Sequence, residues 1–304
     1  MPLPEGYSTR RPRRADAAAV GKLMTAADEE GGEEATASDI EREWRSLDLD
    51  HDVWVVEGPS GELAAYLETA KRGEDRLATD GYVAPAHTGR GLGGHLLDLV
   101  EQRAHELLNG SGVLSSATLD SNKAAAALFE SRGFRPVRHF FRMVIDLAEE
   151  PEAPVWPDGL EPRPFDLVDA EQFHAAVEEA FANEYGHIPE SFDAWRKRRL
   201  EAPFTDTALW LAVWDGDEIA ATLMCDAQRF EVGWIGSVAV GEAWRRRGLG
   251  LALLRHAFGV FWRRGERRVG LGVDAENPTG AVSLYERAGM RVLFDAVVYE
   301  KRLA

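Results

Sequence analysis

The chain is poor in several things, and each shortage excludes something. It has one cysteine, Cys225, so neither an internal disulfide nor a cysteine-based zinc site can form. The simplest home is then a reducing cytoplasm. No run of 18 apolar residues occurs, so no membrane-spanning helix is expected. The start, MPLPEGYSTRRPRR, lacks the apolar stretch of a secretory signal. Positive charge is scarce: 35 basic residues face 52 acidic ones, and the net charge is −17. A general nucleic-acid binder carries a basic footprint, and adhesion to an anionic membrane needs one, so neither partner is expected. No His/Asp/Glu cluster has metal-ligand spacing, and no Gly-x-Ser-x-Gly elbow points to a serine hydrolase.

What is present is a 304-residue chain with 45% hydrophobic residues, enough for two cored domains. The chain also repeats itself. GYVAPAHTGRGLGGHLLDLVEQRA at 81–104 and LDSNKAAAALFESRGF at 119–134 return as GSVAVGEAWRRRGLGLALLRHAF at 236–258 and VDAENPTGAVSLYERAGM at 273–290. The offset is 157 residues from Gly91 to Gly248, and order and spacing persist. The stretch EEPEAPVWPD at 149–158, with three prolines and four carboxylates, can continue neither a helix nor a central strand and reads as a linker. The expected division is a domain over 1–148, a linker over 149–156 and a second domain over 157–304.

Each half spells the same elements. In the second, ALWLAVWDG and EIAATLMCDAQRF form a hairpin around Asp215-Gly216-Asp217, and EVGWIGSVAV is a strand. A helix follows from Gly248, with Leu254, Ala257, Phe258 and Phe261 on one face. RRVGLGVDA is a strand, TGAVSLYERAG a helix closed by Gly289, and MRVLFDAVVYEKRL a final strand pair or one long bent strand. The fold class is α/β: a mixed, mostly antiparallel sheet flanked by helices, built twice. Cys225 and the aromatics Trp210, Trp214, Phe258, Phe261 and Trp262 read as core.

The chemistry concentrates where Arg245-Arg246-Arg247-Gly248-Leu249-Gly250 joins strand to helix. The first helical N–H groups lack intrahelical partners and, with the helix dipole, face an anion. Glycines at 248 and 250 remove Cβ atoms that would hold a phosphate away, so a diphosphate is the natural occupant. The spacing matches neither the dinucleotide-binding nor the Walker A pattern. From Arg245 to Arg268 there are eight arginines against one acid, Glu266, a local inversion of sign that attracts a polyanion. The alternative for the arginines from Arg255 onward is a solvated basic helix face.

The string RRRGLG matches the Gln/Arg-x-x-Gly-x-Gly/Ala motif of the GNAT superfamily of N-acetyltransferases, and NPTGAVSLYERAGM resembles that family's second motif. The resemblance covers both halves, so the chain looks like a tandem GNAT protein, similar in layout to mycothiol synthase-like two-domain acetyltransferases. The resemblance implies acetyl-CoA as acyl donor and a primary amine as acceptor; two domains make a deeper cleft than a peptide N-terminus needs, which favours a small molecule over a protein amine, and no metal is expected. A homodimer is left open. It implies that Val238, Ala239 and Val240 pair with the pantetheine arm. Arg245, Arg246, Arg247, Gly248, Leu249 and Gly250 would hold the pyrophosphate, and Asn277 would contact the cofactor arm. Tyr285 would face the thioester sulfur as general acid. A glutamate that mycothiol synthase-like sequences carry on the preceding strand is Trp234 here, so Glu231, three residues earlier, is the candidate base, with Asp226 behind it. Glu184, Tyr185 and His187 fall where the family builds its acceptor pocket. The first half departs: Thr88 replaces the leading Gln/Arg and Phe129 stands in place of Tyr285. The expectation is a degenerate first domain and a catalytic second one. The alternative from another class is a non-catalytic acyl-CoA sensor.

Overall fold

The computed structural model describes residues 3–28, 34–229 and 232–303. In chain order the strands and helices are β1 (Ser8–Arg10), α1 (Ala17–Ala27), α2 (Ala37–Trp44), β2 (Val53–Glu57), β3 (Leu63–Arg72), β4 (Arg76–Val83), α3 (Leu92–Leu107), β5 (Gly112–Leu119), α4 (Lys123–Ser131) and β6 (Arg135–Asp146). They continue with β7 (Glu161–Pro164), α5 (Ala170–Phe181), α6 (Phe192–Trp195), β8 (Leu211–Asp215), β9 (Glu218–Arg229), β10 (Val232–Val240), α7 (Leu249–Arg263), β11 (Arg268–Asp274), α8 (Ala281–Arg287) and β12 (Arg291–Leu303). A π turn over Arg196–Leu200 extends α6.

The chain forms two compact units, one running to Phe140 and resuming at Phe294, the other spanning Phe141–Leu293. This division differs from the boundaries expected at 148 and 157, and the cause is a crossing of final strands. In the first unit β5 pairs antiparallel with β12, Leu119 opposite Ala296 through Gly112 opposite Leu303. In the second, the end of β6 takes the place beside β11, with Leu147 N–H donating to the Arg267 carbonyl at 2.7 Å. The segments FFRMVIDLA and DAVVYEKRL both alternate well enough to finish either sheet, so local pattern cannot choose between them. The last segment is one strand rather than a pair.

In the first unit the strand order is β1-β2-β3-β4-β5-β12. On one face α3 buries Leu92, Leu96, Leu97, Val100 and Ala104, at the spacing of a single helix side. On the other face Val20 and Leu23 of α1 and Ile40 and Trp44 of α2 close over Tyr66. The neighbours β4 and β5 are parallel and pair only from Arg76–Val113 to Thr79–Ser116. Beyond Thr79 they part, β4 running on to Val83 and β5 to Leu119.

The second unit repeats this with the order β6-β11-β10-β9-β8-β7. Its core is built by Leu249, Leu253, Leu254, Phe258 and Phe261 of α7 together with Phe173, Trp195 and Trp210. Cys225 is buried within it. Here too the parallel pair parts early: β10 meets β11 at Gly233–Val269 and Trp234–Gly270. A bulge between Ile235 and Ser237 bends β10 at Gly236 as it leaves. Bulges re-aim a strand beside a site. The register of β3 on β4, from Ala65–Val83 to Arg72–Arg76, has no such break.

Candidate active site

In the second unit β10 ends at Val240 and a short turn leads to Arg245. The Arg245 Nε donates to the Val240 carbonyl at 3.1 Å, and Nη2 to that of Ala180 at 3.4 Å. Arg245 therefore fastens the turn to its own strand and to the end of α5. Arg246 adopts φ 62°, rare for a residue with a side chain, and Gly248 adopts φ 91° at the head of α7. Strain in a turn of this kind is stored where a site needs it. A Cβ placed on Gly248 would meet nothing within 4 Å, so the surface there is open, and the unpaired N–H groups of the first turn of α7 face it.

Gly250 serves differently from the expectation. A Cβ on it would lie 2.7 Å from Leu284, so this glycine lets α7 and α8 pack closely rather than making room for phosphate. The basic run also sorts itself. Arg255 pairs with Glu152, Arg264 with Asp206 at 2.6 Å and Arg268 with Asp146 at 2.6 Å, while Arg267 stacks on Trp262 at 3.7 Å. Arg246 and Arg247, exposed in the turn, carry no ion pair among the described residues. They lie in the turn itself, at the open head of α7, whereas Arg263, also without an ion pair among the described residues, lies at the far end of that helix.

Tyr285 stands on α8, packed to 8% exposure. Burial, and then the charge of Glu184, push its phenol up to about 12. The hydroxyl so keeps its proton at neutral pH, and it makes no hydrogen bond with a described residue. Asn277 Nδ2 donates to Glu184 Oε2 at 2.8 Å, and the charge of this Glu184 is the one that acts on Tyr285. Sequence reasoning had placed these three in separate roles. His187 pairs instead with Glu178 at 3.3 Å, and Tyr185 is exposed.

Along β10, Ala239 is buried and Val238 and Val240 are half-buried. The hydroxyls of Ser237 and, across on β9, Thr222 are buried without a hydrogen-bond partner. Arg199 lies 3.8 Å from Asp226. Trp234 packs under the Arg142 guanidinium at 4.1 Å, a structural use of this position. Glu231 lies outside the described residues. Buried hydroxyls without a partner among the described residues, beside a parted strand pair with an open N-terminal turn at its end, suit a ligand that lies between strands and hydrogen-bonds to their main chain. The pantetheine and diphosphate of acetyl-CoA fit that description.

The first unit carries the same frame with other contents. Gly91 heads α3 at φ 84°, and Gly93 packs on Leu128 as Gly250 does on Leu284. A cavity of about 710 Å³ opens at the parting of β4 and β5; Asp80, Tyr82, Thr88, Gly91, Ser116 and Phe129 are among its walls. Phe129 stacks on Tyr299 at 5.2 Å and offers no proton.

A strand pair that parts beside a glycine-headed helix is a frame on which acyl-CoA-dependent N-acyltransferases can be compared. The chain belongs to the Acetyltransferase (GNAT) family, whose profile matches residues 20–134 and 168–290, one match in each half. It is 30% identical over 309 residues to the mycothiol acetyltransferase of Catenulispora acidiphila, covering 96% of this chain and 97% of that one. It is 31% identical over 267 residues to that of Thermobispora bispora. Among solved structures, a GCN5-related N-acetyltransferase from Sphaerobacter thermophilus superposes with a TM-score of 0.88 at 37% identity, covering 99% of this chain and 97% of that one. A tandem GNAT protein from the clavulanic acid biosynthesis pathway shares the fold, with a TM-score of 0.72 at 16% identity. The chain is therefore a GNAT acetyltransferase with two GNAT regions. Among the described residues no group of three His, Cys, Asp or Glu is placed to hold a metal, and no helix is long and apolar enough to cross a membrane.

Proposed function

We propose that the protein moves an acetyl group from acetyl-CoA to the primary amine of a small molecule by direct attack, in its second unit. The observation that carries this is Tyr285: a buried phenol, kept protonated, on the helix that follows the parted strands. Relatives spanning nearly the whole chain are named mycothiol acetyltransferases, which supports a small-molecule acceptor. Trp234, packed under Arg142, leaves the acceptor's identity open to a different amine.

Acetyl-CoA supplies an activated thioester. The amides at Gly248 and Leu249, with Arg246 and Arg247, hold its diphosphate, and Val238 to Val240 hold its arm. Asn277 fixes Glu184 and so the wall beside the phenol. The amine nitrogen forms the new C–N bond as the C–S bond breaks, Tyr285 gives its proton to the departing sulfur, and the proton that the nitrogen sheds on becoming an amide returns to the phenolate oxygen through solvent. The proton lost by the ammonium goes to Glu231; Glu184 is the second candidate because its charge already acts on Tyr285. The measurement that tests the reading is release of free CoA over a panel of amines, for the native chain and Tyr285→Phe. A chain that binds acetyl-CoA but turns over no amine is a sensor, and the proposal fails.

A further inference from the structure

In the second unit the bulge of β10 leaves an opening. Gly236 is exposed, although Ile235 and Ser237 on either side of it are buried. A Cβ on Gly236 would lie 3.5 Å from Arg199 Nη2 and 3.6 Å from Asp226 Oδ2, so these two side chains flank the opening. With the diphosphate at Gly248 and the arm running back from Val240 to Val238, the thioester comes next, at this bulge. The inference rests on that proposed placement of acetyl-CoA.

Arg199 stands in the π turn that extends α6. Single π turns in helices occur frequently at functional sites. Arginine carries five N–H donors, yet this guanidinium makes no hydrogen bond with a described residue, and its Nε is buried without a partner. Asp226, at 3.8 Å, is beyond hydrogen-bond reach. Burial lowers the guanidinium from its ordinary value and Asp226 opposes that; Arg198 and Arg229 add to the lowering and Glu190 opposes it. Donors withdrawn from water are costly unless a ligand or water completes them.

Trp195, four residues earlier and 2% exposed, is a second case: its indole N–H is buried with no partner among the described residues. The first unit handles the same place differently. Trp44, which closes α2 as Trp195 closes α6, donates to the Tyr66 hydroxyl at 2.8 Å, and four residues on stands Asp48 rather than an arginine. One frame therefore fills its donor in the first unit and leaves donors unfilled in the second. A guanidinium fork matches a carboxylate through two parallel N–H···O bonds. The nearby Asp226 repels a dianion more than a single charge, which favours carboxylate over phosphate.

We propose that Arg199 determines acceptor specificity, and that the acceptor is an amino-acid-like compound whose carboxylate takes a two-point hydrogen bond from the guanidinium while its amine meets the thioester at Gly236.

The test is calorimetric titration of the full chain with CoA present, at about pH 7.5, which needs no turnover. The ligands are N-acetylglycine, N-acetyl-β-alanine and N-acetyl-L-phenylalanine, each set against its amide. They cover two spacings of nitrogen and carboxylate and one large side chain. At least one acid is expected to bind about tenfold or more tightly than its amide. Arg199→Met is expected to bring acid and amide within about threefold of each other. Arg199→Lys keeps the charge and loses the fork, so it is expected to weaken the acid about fivefold and leave the amide unchanged. The proposal is overturned if no acid binds below about 10 mM, if acids and amides bind the native chain alike, or if the folded variants keep the native preference. CoA release is then followed with glycine, β-alanine and L-phenylalanine. A chain that prefers the N-acetylated acids but turns over no amine keeps the carboxylate site and loses the acetyl-transfer reading, so the two failures are distinguishable.

Discussion

The two units share one backbone plan and divide the functional groups between them. The second has the phenol, Tyr285, two unpaired arginines in its glycine turn and a bulged strand, but Met224 and Ser237 where the first unit sets Glu68 against Asp80. The first has the carboxylates and an open cavity, but Phe129 in place of the phenol and Thr88 in place of Arg245. Duplication leaves each copy free to lose what the other keeps, because the frame is stabilised by packing that neither set of groups disturbs. Gly93 on Leu128 and Gly250 on Leu284 show this: the close helix contact survives in both copies, whatever became of the chemistry beside it.

The largest test of this division is Tyr285→Phe. It is expected to lower kcat about a hundredfold or more while leaving the fold and acetyl-CoA affinity intact, read by steady-state kinetics and calorimetry. The mirror substitution, Phe129→Tyr, is expected to restore none of that loss when added to Tyr285→Phe. Recovery of turnover in the double variant would make the units interchangeable and end the comparison. Next comes Glu231→Gln, expected to lower kcat about tenfold or more at neutral pH and to lose less as pH rises and the free amine becomes abundant.

Turn glycines give a smaller effect. Gly248→Ala forces a side chain into φ 91°, costs about 1 kcal/mol and is expected to raise the KM for acetyl-CoA about fivefold. Gly91→Ala carries the same strain at φ 84° and is expected to leave that KM unchanged. Equal effects would place productive cofactor binding in both units.

The mildest expectation concerns pH. Glu68 keeps its proton up to about 8 in the folded chain and loses it near the ordinary carboxylate value when unfolded. The folded state then binds the extra proton, so this group's contribution to stability falls as pH rises from the ordinary range to about 8 and is level above it. Burial, Asp80 and Glu43 press in that direction, and the Tyr66 hydrogen bond and Arg72 oppose them. Glu68→Gln is expected to flatten the decline of Tm between about pH 5 and 8 by several degrees, measured by thermal unfolding. An unchanged slope would show that the carboxylates share their charge with a partner other than each other.

Much of the fold was legible because it repeats. The hairpin at Asp215–Asp217, the strand ending at Val240 and the helix from Gly248 stand where periodicity places them. The turn arginines were legible as a group but not in their uses: Arg245 holds backbone carbonyls, and Arg255, Arg264 and Arg268 are spent on ion pairs. That Glu68 faces Asp80 was missed, although its signal is simple. Tyr66 and Glu68 alternate on one strand, Asp80 and Tyr82 on the next, across a turn at 73–75, and period two alone aligns all four on one face.

The amino-acid order by itself determined the duplication, the α/β class and the anion-ready turn, because these rest on periodicity and on glycine's access to positive φ, which are local properties. Only the tertiary structure decided which final strand completes which sheet, that Gly250 is a packing residue, and that Glu184 joins Asn277. Those outcomes depend on contacts between residues far apart in the chain, where several partners satisfy the same local pattern and packing selects among them.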